Sequence, residues 1–256
     1  MARQAHGRIV LWQGGALWVF QVSSGPKTRK RTDFHAHHAI QVTLALDGAF
    51  HLHLENASLP GPGVVVSADV NHAFEPKGSI ALLFVDPETS AGRALMEGPL
   101  QGQKAVSLPA QQTARLCGAI RDLAARDQAT DDEWRLLGQT LIRSFAGAVK
   151  LPPADARIVK TLEWASANLD GSLGIADAAQ HVGLSPDRMS HLFVEQTGLP
   201  FRTFVLWLRI QKAVDAYAHG ASLTTAAYDA GFADSAHFSR TFRRMFGIAA
   251  AEFRLV

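Results

Sequence analysis

Between Gly231 and Gly247 the chain reads GFADSAHFSRTFRRMFG, placing Arg240, Arg243 and Arg244 inside two helical turns of a protein whose formal net charge is only +2. A glycine at each end, with Asp234 or Ser235 as N-cap, marks out a helix from Ser235 to Phe246. On helical winding, Phe238, Phe242, Met245 and Phe246 form one apolar stripe, while His237, Arg240 and Arg244 form another with Arg243 beside it. One face packs and the other offers hydrogen-bond donors. Taken alone, such a helix reads first as a solvated surface with its cations near the C-terminal end.

Its surroundings change that balance. Met189-Ser190-His191, Phe193, Gly198 and Phe204 fall over Phe238-Ser239-Arg240, Phe242, Gly247 and Phe253 at a constant offset, and Gly183 falls over Gly231 with one residue slipped in the turn. Each copy has a short helix, a glycine turn and a second helix: IADAAQHV ending at Gly183 before Ser185-Pro186, and TTAAYDA ending at Gly231. This is the grammar of the helix-turn-helix, whose second helix enters the major groove, where Arg contacts guanine and neighbouring cations meet phosphate. Between the copies, Phe201 to His219 is apolar on most sides over its first half. Its 19 residues span roughly 28 Å at about 1.5 Å each, near the ~34 Å pitch of B-DNA, so one rod can set two reading helices in successive grooves.

These residues, from IADAAQHVGLSPDRMSHLF through LRIQKAVDAYAHGASLTTAAYDAGFADSAHFSRTFRRMFG, resemble the DNA-binding domain of AraC/XylS-type transcription regulators over about residues 155 to 255. The resemblance implies an all-α domain with two helix-turn-helix units that binds double-stranded promoter DNA, often beside RNA polymerase. By position it places Asp187, Arg188, Ser190 and His191 of the first unit, and Ser235, Ala236, His237 and Arg240 of the second, against bases, with Arg243 and Arg244 on phosphate. The chain departs from the family pattern at His191 and Val194, where basic residues are common, and at Ala249-Ala250, where a Ser-Pro is usual.

The first part of the chain has a different character. Short runs such as GRIVLWQ, ALWVFQV, HAIQVTLALDG, AFHLHLEN, GVVVSA and SIALLFVD, broken by Gly, Pro and Asp, predict an all-β barrel or sandwich over 1–108. Ile9 to Val22 is read as a hairpin turning at Gly14-Gly15 rather than a signal peptide, because Gln13 and the glycines split it. QQTARLCGAIRDLAARD and DDEWRLLGQTLIRSFAGAV then show helical periodicity and predict a helical hairpin over 109–150. It has apolar residues to spare, among them Leu116, Ile120, Leu123, Trp134, Leu137, Leu141, Ile142 and Phe145; packing on the barrel takes some of these, and the family resemblance implies self-association as a homodimer through the rest. The Pro152-Pro153 pair marks a linker from Lys150 to Asp155, and the DNA-binding domain takes 151–256. The fold expected is therefore α+β and multidomain: an N-terminal all-β cupin-like barrel with a helical hairpin, then an all-α domain.

FHAHHAIQVTLALDG resembles the first motif of the cupin barrel, with His35, His37, Gln41 and Gly48 at the spacing of two histidines, a glutamate and a glycine, and His72 resembles the second motif's histidine. His35, His37 and Gln41, at odd positions, share one face of an extended strand. Two occupants are open: a small-molecule effector in a polar pocket formed by these four residues, or a divalent first-row transition metal held by three imidazoles and an amide oxygen. Gln41 in place of a carboxylate leaves such a metal without a charged ligand. His51, His53 and Glu55 read as the wet face of a strand, His38 as a hydrogen-bonded core histidine, and Lys27, Arg29, Lys30 and Arg31 as a solvated loop.

Composition bounds the rest. At 47% hydrophobic and 19% charged, the 256 residues are ordinary globular material. The single cysteine, Cys117, can form no internal disulfide and reads as a small apolar helix residue. No apolar run approaches the roughly 20 residues that span a bilayer, so a cytoplasmic protein without membrane contact is expected. The expected function is a ligand-responsive transcription regulator with no catalytic residues; the alternative is a metal-dependent cupin enzyme or metal sensor fused to a DNA-binding domain.

Overall fold

The computed structural model describes residues 5–22, 31–146 and 154–255. Lys27, Arg29, Lys30 and the Pro152-Pro153 pair lie outside them. The chain divides into two compact units, Met1–Val149 with Ser239–Val256, and Lys150–Phe238. The boundary near residue 150 is as expected, but no division falls at 108: the helical hairpin packs as part of the first unit, and Ser239–Val256 joins it too.

In the first unit, β1 (Ala5–Trp12) and β2 (Gly15–Val22) pair in full register across a turn at Gln13-Gly14. β3 (Ile40–Ala45), β4 (Ala49–Leu54), β5 (Ala57–Pro60), β6 (Gly63–Val66) and the 13-residue β7 (Ala73–Val85) follow, and β8 (Ala105–Ser107) and β9 (Phe253–Leu255) complete the set. The sheet runs β8-β6-β3-β7-β2-β1-β9 and does not close into the expected ring. The reason lies in β7 and the edges. The start of β7 pairs with β4; from Gly78, where φ is +78°, it pairs with β2 and then also β3, so the β4–β5 hairpin branches away instead of bridging the edges. Both edge strands have only three residues. Sequence periodicity missed β5, β8 and β9, all four residues or fewer.

β3 is buried at every position because both faces are covered. On one face Ile40, Val42 and Leu44 join Val65, Leu83 and Val85 in a core completed by α1 (Ser90–Leu95), α2 (Ala110–Ala124) and α3 (Asp131–Ala146). Leu116, Ile120, Leu123, Trp134, Leu141, Ile142 and Phe145 all lie in that core, and Leu137 packs against it. Each fully buried aliphatic or aromatic side chain contributes roughly 1.5–3 kcal/mol, which explains the hairpin's apolar surplus without a second subunit. Leu136, 61% exposed, is the large apolar residue of α3 left outside. Cys117 is buried, its thiol donating to the Ala45 carbonyl at 3.3 Å, and burial raises its pKa. The opposite face of the sheet presents Gln41 opposite Phe84, Trp18 opposite Leu82 and Phe20 opposite Ile80, across β3, β7 and β2.

The second unit is helical: α4 (Ala156–Ala167), α5 (Ile175–His181), α6 (Pro186–Thr197), α7 (Phe201–Ala218) and α8 (Leu223–Asp229). Asp155 caps α4 by accepting from the Arg157 amide at 2.9 Å. Phe201, Phe204, Val205 and Leu208 of α7 join Met189 and Phe193 of α6 and Ala178 and Ala179 of α5 in one core. α9 (Ser235–Phe246) begins in this unit and ends in the first. Among the described residues, no helix is long and apolar enough to cross a membrane.

Candidate nucleic-acid interface and histidine cluster

The second helix of each helix-turn-helix unit is set by the same local devices. Gly183 (φ +69°) and Gly231 (φ +80°) take the left-handed conformation that stops α5 and α8, a geometry costly to residues with a Cβ. Ser185 then caps α6 by accepting from the Arg188 amide, with Pro186 as its first residue. For α9 the capping side chain is Asp234, whose Oδ1 accepts from the His237 amide at 2.6 Å. Gly198 and Gly247 end the two helices in the same left-handed way.

With Met189 and Phe193 buried, α6 turns Asp187, Arg188, Ser190 and His191 to solvent, together with Val194. With Phe238, Phe242, Met245 and Phe246 buried, α9 exposes Ala236, Arg240, Arg243 and Arg244. Ser235 and His237 are half-buried, His237 lying edge-on to Phe232 with ring centroids 5.3 Å apart. Arg243 donates through Nε and Nη2 to Asp33 Oδ2, at 3.1 and 3.0 Å.

The histidines of the sheet unit do not share one strand, since β3 starts only at Ile40, but they converge. His35 and His72 form an isolated antiparallel bridge, exchanging backbone hydrogen bonds of 2.9 Å in both directions. His35, His37 and His72 are all buried, and one ring nitrogen from each lies within 4.8 Å of the others. Backbone carbonyls fix two of the rings: His35 Nδ1 donates to Asp33 O and His72 Nδ1 donates to Val70 O, both at 2.8 Å. A proton on Nδ1 leaves the Nε2 lone pair available, and His72 Nε2 is buried with no hydrogen-bond partner among the described residues. Burial first, then the neighbouring His72, lowers the pKa of His35 to about 3; burial holds His37 and His72 below the ordinary histidine value as well. Three neutral imidazoles with a stranded acceptor fit a first-row metal by donor type and spacing. Gln41 is placed differently: its Oε1 lies 3.1 Å from His37 Nε2 and its amide nitrogen donates to Thr43, so it orients His37.

Beside the cluster lies an apolar cavity of about 80 Å³, walled chiefly by Trp18, Phe20, Phe74, Phe84, Phe246 and Phe253 and reached by His35 and Gln41. Trp18 Nε1 is buried without a hydrogen-bond partner among the described residues. Sequence reasoning missed Trp18 and the C-terminal wall, because strand alternation does not report which apolar residues surround a void.

His38 is a hydrogen-bonded core histidine. It is buried, with Nδ1 2.8 Å from Asp69 and Nε2 2.5 Å from Glu88. Burial opposes its charge, but the two carboxylates outweigh burial and raise the pKa to about 9. His38→Ala strands the Glu88 carboxylate, whose side chain is 7% exposed, and is expected to cost on the order of 3 kcal/mol. A folded-state pKa above the unfolded one makes this contribution complete below about pH 6.5 and lost as pH rises through about 9. Urea midpoints of wild type and variant should therefore differ widely at pH 6 and converge near pH 10; an equal gap at both would contradict the charged pair. His51 is exposed and His53 half-buried beside Glu75, as a wet strand face requires.

Residues 178–255 match a helix-turn-helix domain family. The arabinose operon regulatory protein of Salmonella typhimurium is 35% identical over 126 residues, covering 46% of this chain and 44% of that protein. The probable transcriptional regulator LumQ of Photobacterium leiognathi is 24% identical over 237 residues, covering 88% and 93%. The crystal structure of ToxT from Vibrio cholerae O395 superposes with a TM-score of 0.61 at 13% identity, covering 94% of this chain and 97% of that one, a likeness of fold. The chain thus spans less than half the length of the arabinose regulators it matches.

Proposed function

We propose that this chain, which carries an AraC-type helix-turn-helix domain, is a sequence-specific transcription regulator of promoter DNA whose sheet unit senses a small molecule. The observation that carries the reading is the pair of capped reading helices, α6 and α9, each with its apolar side buried and its polar side exposed inside the matched region. Direct base readout by such helices, with arginines on phosphate, supplies sequence preference and salt dependence. Duplex from the promoter upstream of the chain's own gene is expected to bind at least 10³-fold more tightly than a scrambled duplex, with affinity falling steeply as salt rises. Equal affinity for both duplexes would refute the reading.

For the effector, the aromatic cavity supports an apolar molecule, and the lone Trp18 Nε1 donor favours one that carries an acceptor oxygen. The ToxT structures include one bound to an unsaturated fatty acid. We read the chain as a binding protein rather than an enzyme, since the relatives are regulators. A cytoplasmic location, contact with RNA polymerase and paired subunits on paired half-sites belong to the same proposal. The pairing is testable by sedimentation with and without promoter duplex.

A second reading, in which the sensed molecule is a divalent first-row metal, is favoured by the convergence of His35, His37 and His72 and by the unpartnered His72 Nε2. These three imidazoles would hold the ion, with Gln41 orienting His37; the ion would supply positive charge to a neutral site. Titration of metal-free protein with zinc should raise the melting temperature of wild type and leave His35→Ala/His37→Ala unchanged. No shift in wild type would remove this second reading.

A further inference from the structure

We propose that Asp33 is an intramolecular competitor of DNA, occupying on Arg243 the place of a backbone phosphate. The inference rests on the DNA-binding reading above and adds a residue outside the helix-turn-helix.

The short strap Thr32–His35 is tied down on three sides. Thr32 exchanges hydrogen bonds with Phe74 through its amide and its hydroxyl, both at 2.9 Å, and His35 bridges to His72. The Asp33 amide donates to the Gly247 carbonyl at 2.9 Å, in the turn that ends α9. Gly247 takes φ +69°, and a Cβ there would run into the Asp33 carbonyl and the His35 ring, so strap and helix end meet without space for a side chain. From this fixed base the Asp33 carboxylate reaches Nε and Nη2 of Arg243, the side-on pair of donors a guanidinium also presents to a phosphate.

The three arginines of α9 differ accordingly. Arg243 is engaged, whereas Arg240 and Arg244 make no ion pair with the described residues. The side chains of Arg243 and Asp33 remain 57% and 43% exposed, so the pair is open to a competing anion rather than sealed. An exposed pair is weak and screened by salt, as a reversible competitor must be. Because Asp33 O also accepts from His35 Nδ1, the strap that holds Arg243 is continuous with the histidine cluster.

The test uses the full-length chain and a fluorescein-labelled random-sequence 30-bp duplex, since a phosphate contact needs no operator. Asp33→Asn is expected to bind about 2- to 5-fold more tightly than wild type at low salt, with a salt dependence steeper by up to about 0.9 in log–log slope. In an Arg243→Ala background the same change is expected to have no effect, because the Arg243 guanidinium that Asp33 withholds is then absent. Asp33→Ala serves as a second variant, and melting temperatures verify that each protein is folded. An unchanged affinity in both Asp33 variants overturns the proposal. So does an equal gain with and without Arg243, which would show only the loss of a negative charge. Failure of wild type and all variants to bind the duplex would overturn the DNA-binding reading itself.

Discussion

Arg240→Ala is expected to weaken promoter binding by about 5- to 150-fold while leaving non-specific binding nearly intact, the cost of about 1–3 kcal/mol that accompanies loss of a base contact. Arg240 is exposed on α9 among the residues assigned to bases, and the helix is fixed from below by the buried Phe238 and Phe242. Arg244→Ala is the contrasting case. It should lower affinity for specific and random duplex alike and reduce the salt slope by about 0.9, since a phosphate contact carries no sequence information. The measurement is a pair of salt titrations for each variant on promoter and scrambled duplexes. A similar loss on both duplexes for Arg240→Ala would show that this residue, too, serves the backbone.

The second large effect is acid sensitivity of the sheet unit. In the unfolded chain each imidazole gains a proton near its ordinary pKa of about 6.5. In the folded chain, burial and then the nearby His72 bring His35 down to about 3, and burial keeps His37 and His72 below the ordinary value. Below pH 6.5 the unfolded state therefore binds more protons than the folded one. The stabilisation is complete above that pH and lost as pH falls toward 3, on the order of 1.4 kcal/mol per pH unit for each imidazole that stays neutral. Melting temperatures in chelator-containing buffer should drop steeply from pH 7 to pH 5. In His72→Gln the drop should be shallower by about a third, one of three such groups having been removed. A flat profile in wild type would mean that the cluster takes up protons without unfolding.

Local chemistry made much of this molecule legible. Glycines that need left-handed backbone, Ser185 before Pro186, and the repeated Phe spacing fix two helix-turn-helix units and the exposed sides of their reading helices, because these depend on contacts only a few residues apart. The sequence names the histidines and predicts that they converge, but not the contact that brings them together. Their convergence comes from the His35–His72 bridge, which joins segments far apart in sequence. For Gln41 the residue type was compatible with a ligand, and only the placement of His37 and Thr43 around its amide assigns it an orienting role.

From the sequence alone came the helix-turn-helix pair, the all-β character of the first part and the helical hairpin, all written in periodicity and turn chemistry. Long-range packing settled the rest: that the sheet stays open, that the hairpin spends its apolar residues on that sheet, and that Ser239–Val256 joins the first unit and brings Arg243 to Asp33. Periodicity states which side of an element seeks burial; it does not name the partner, because many surfaces offer apolar area and only the assembled chain selects among them.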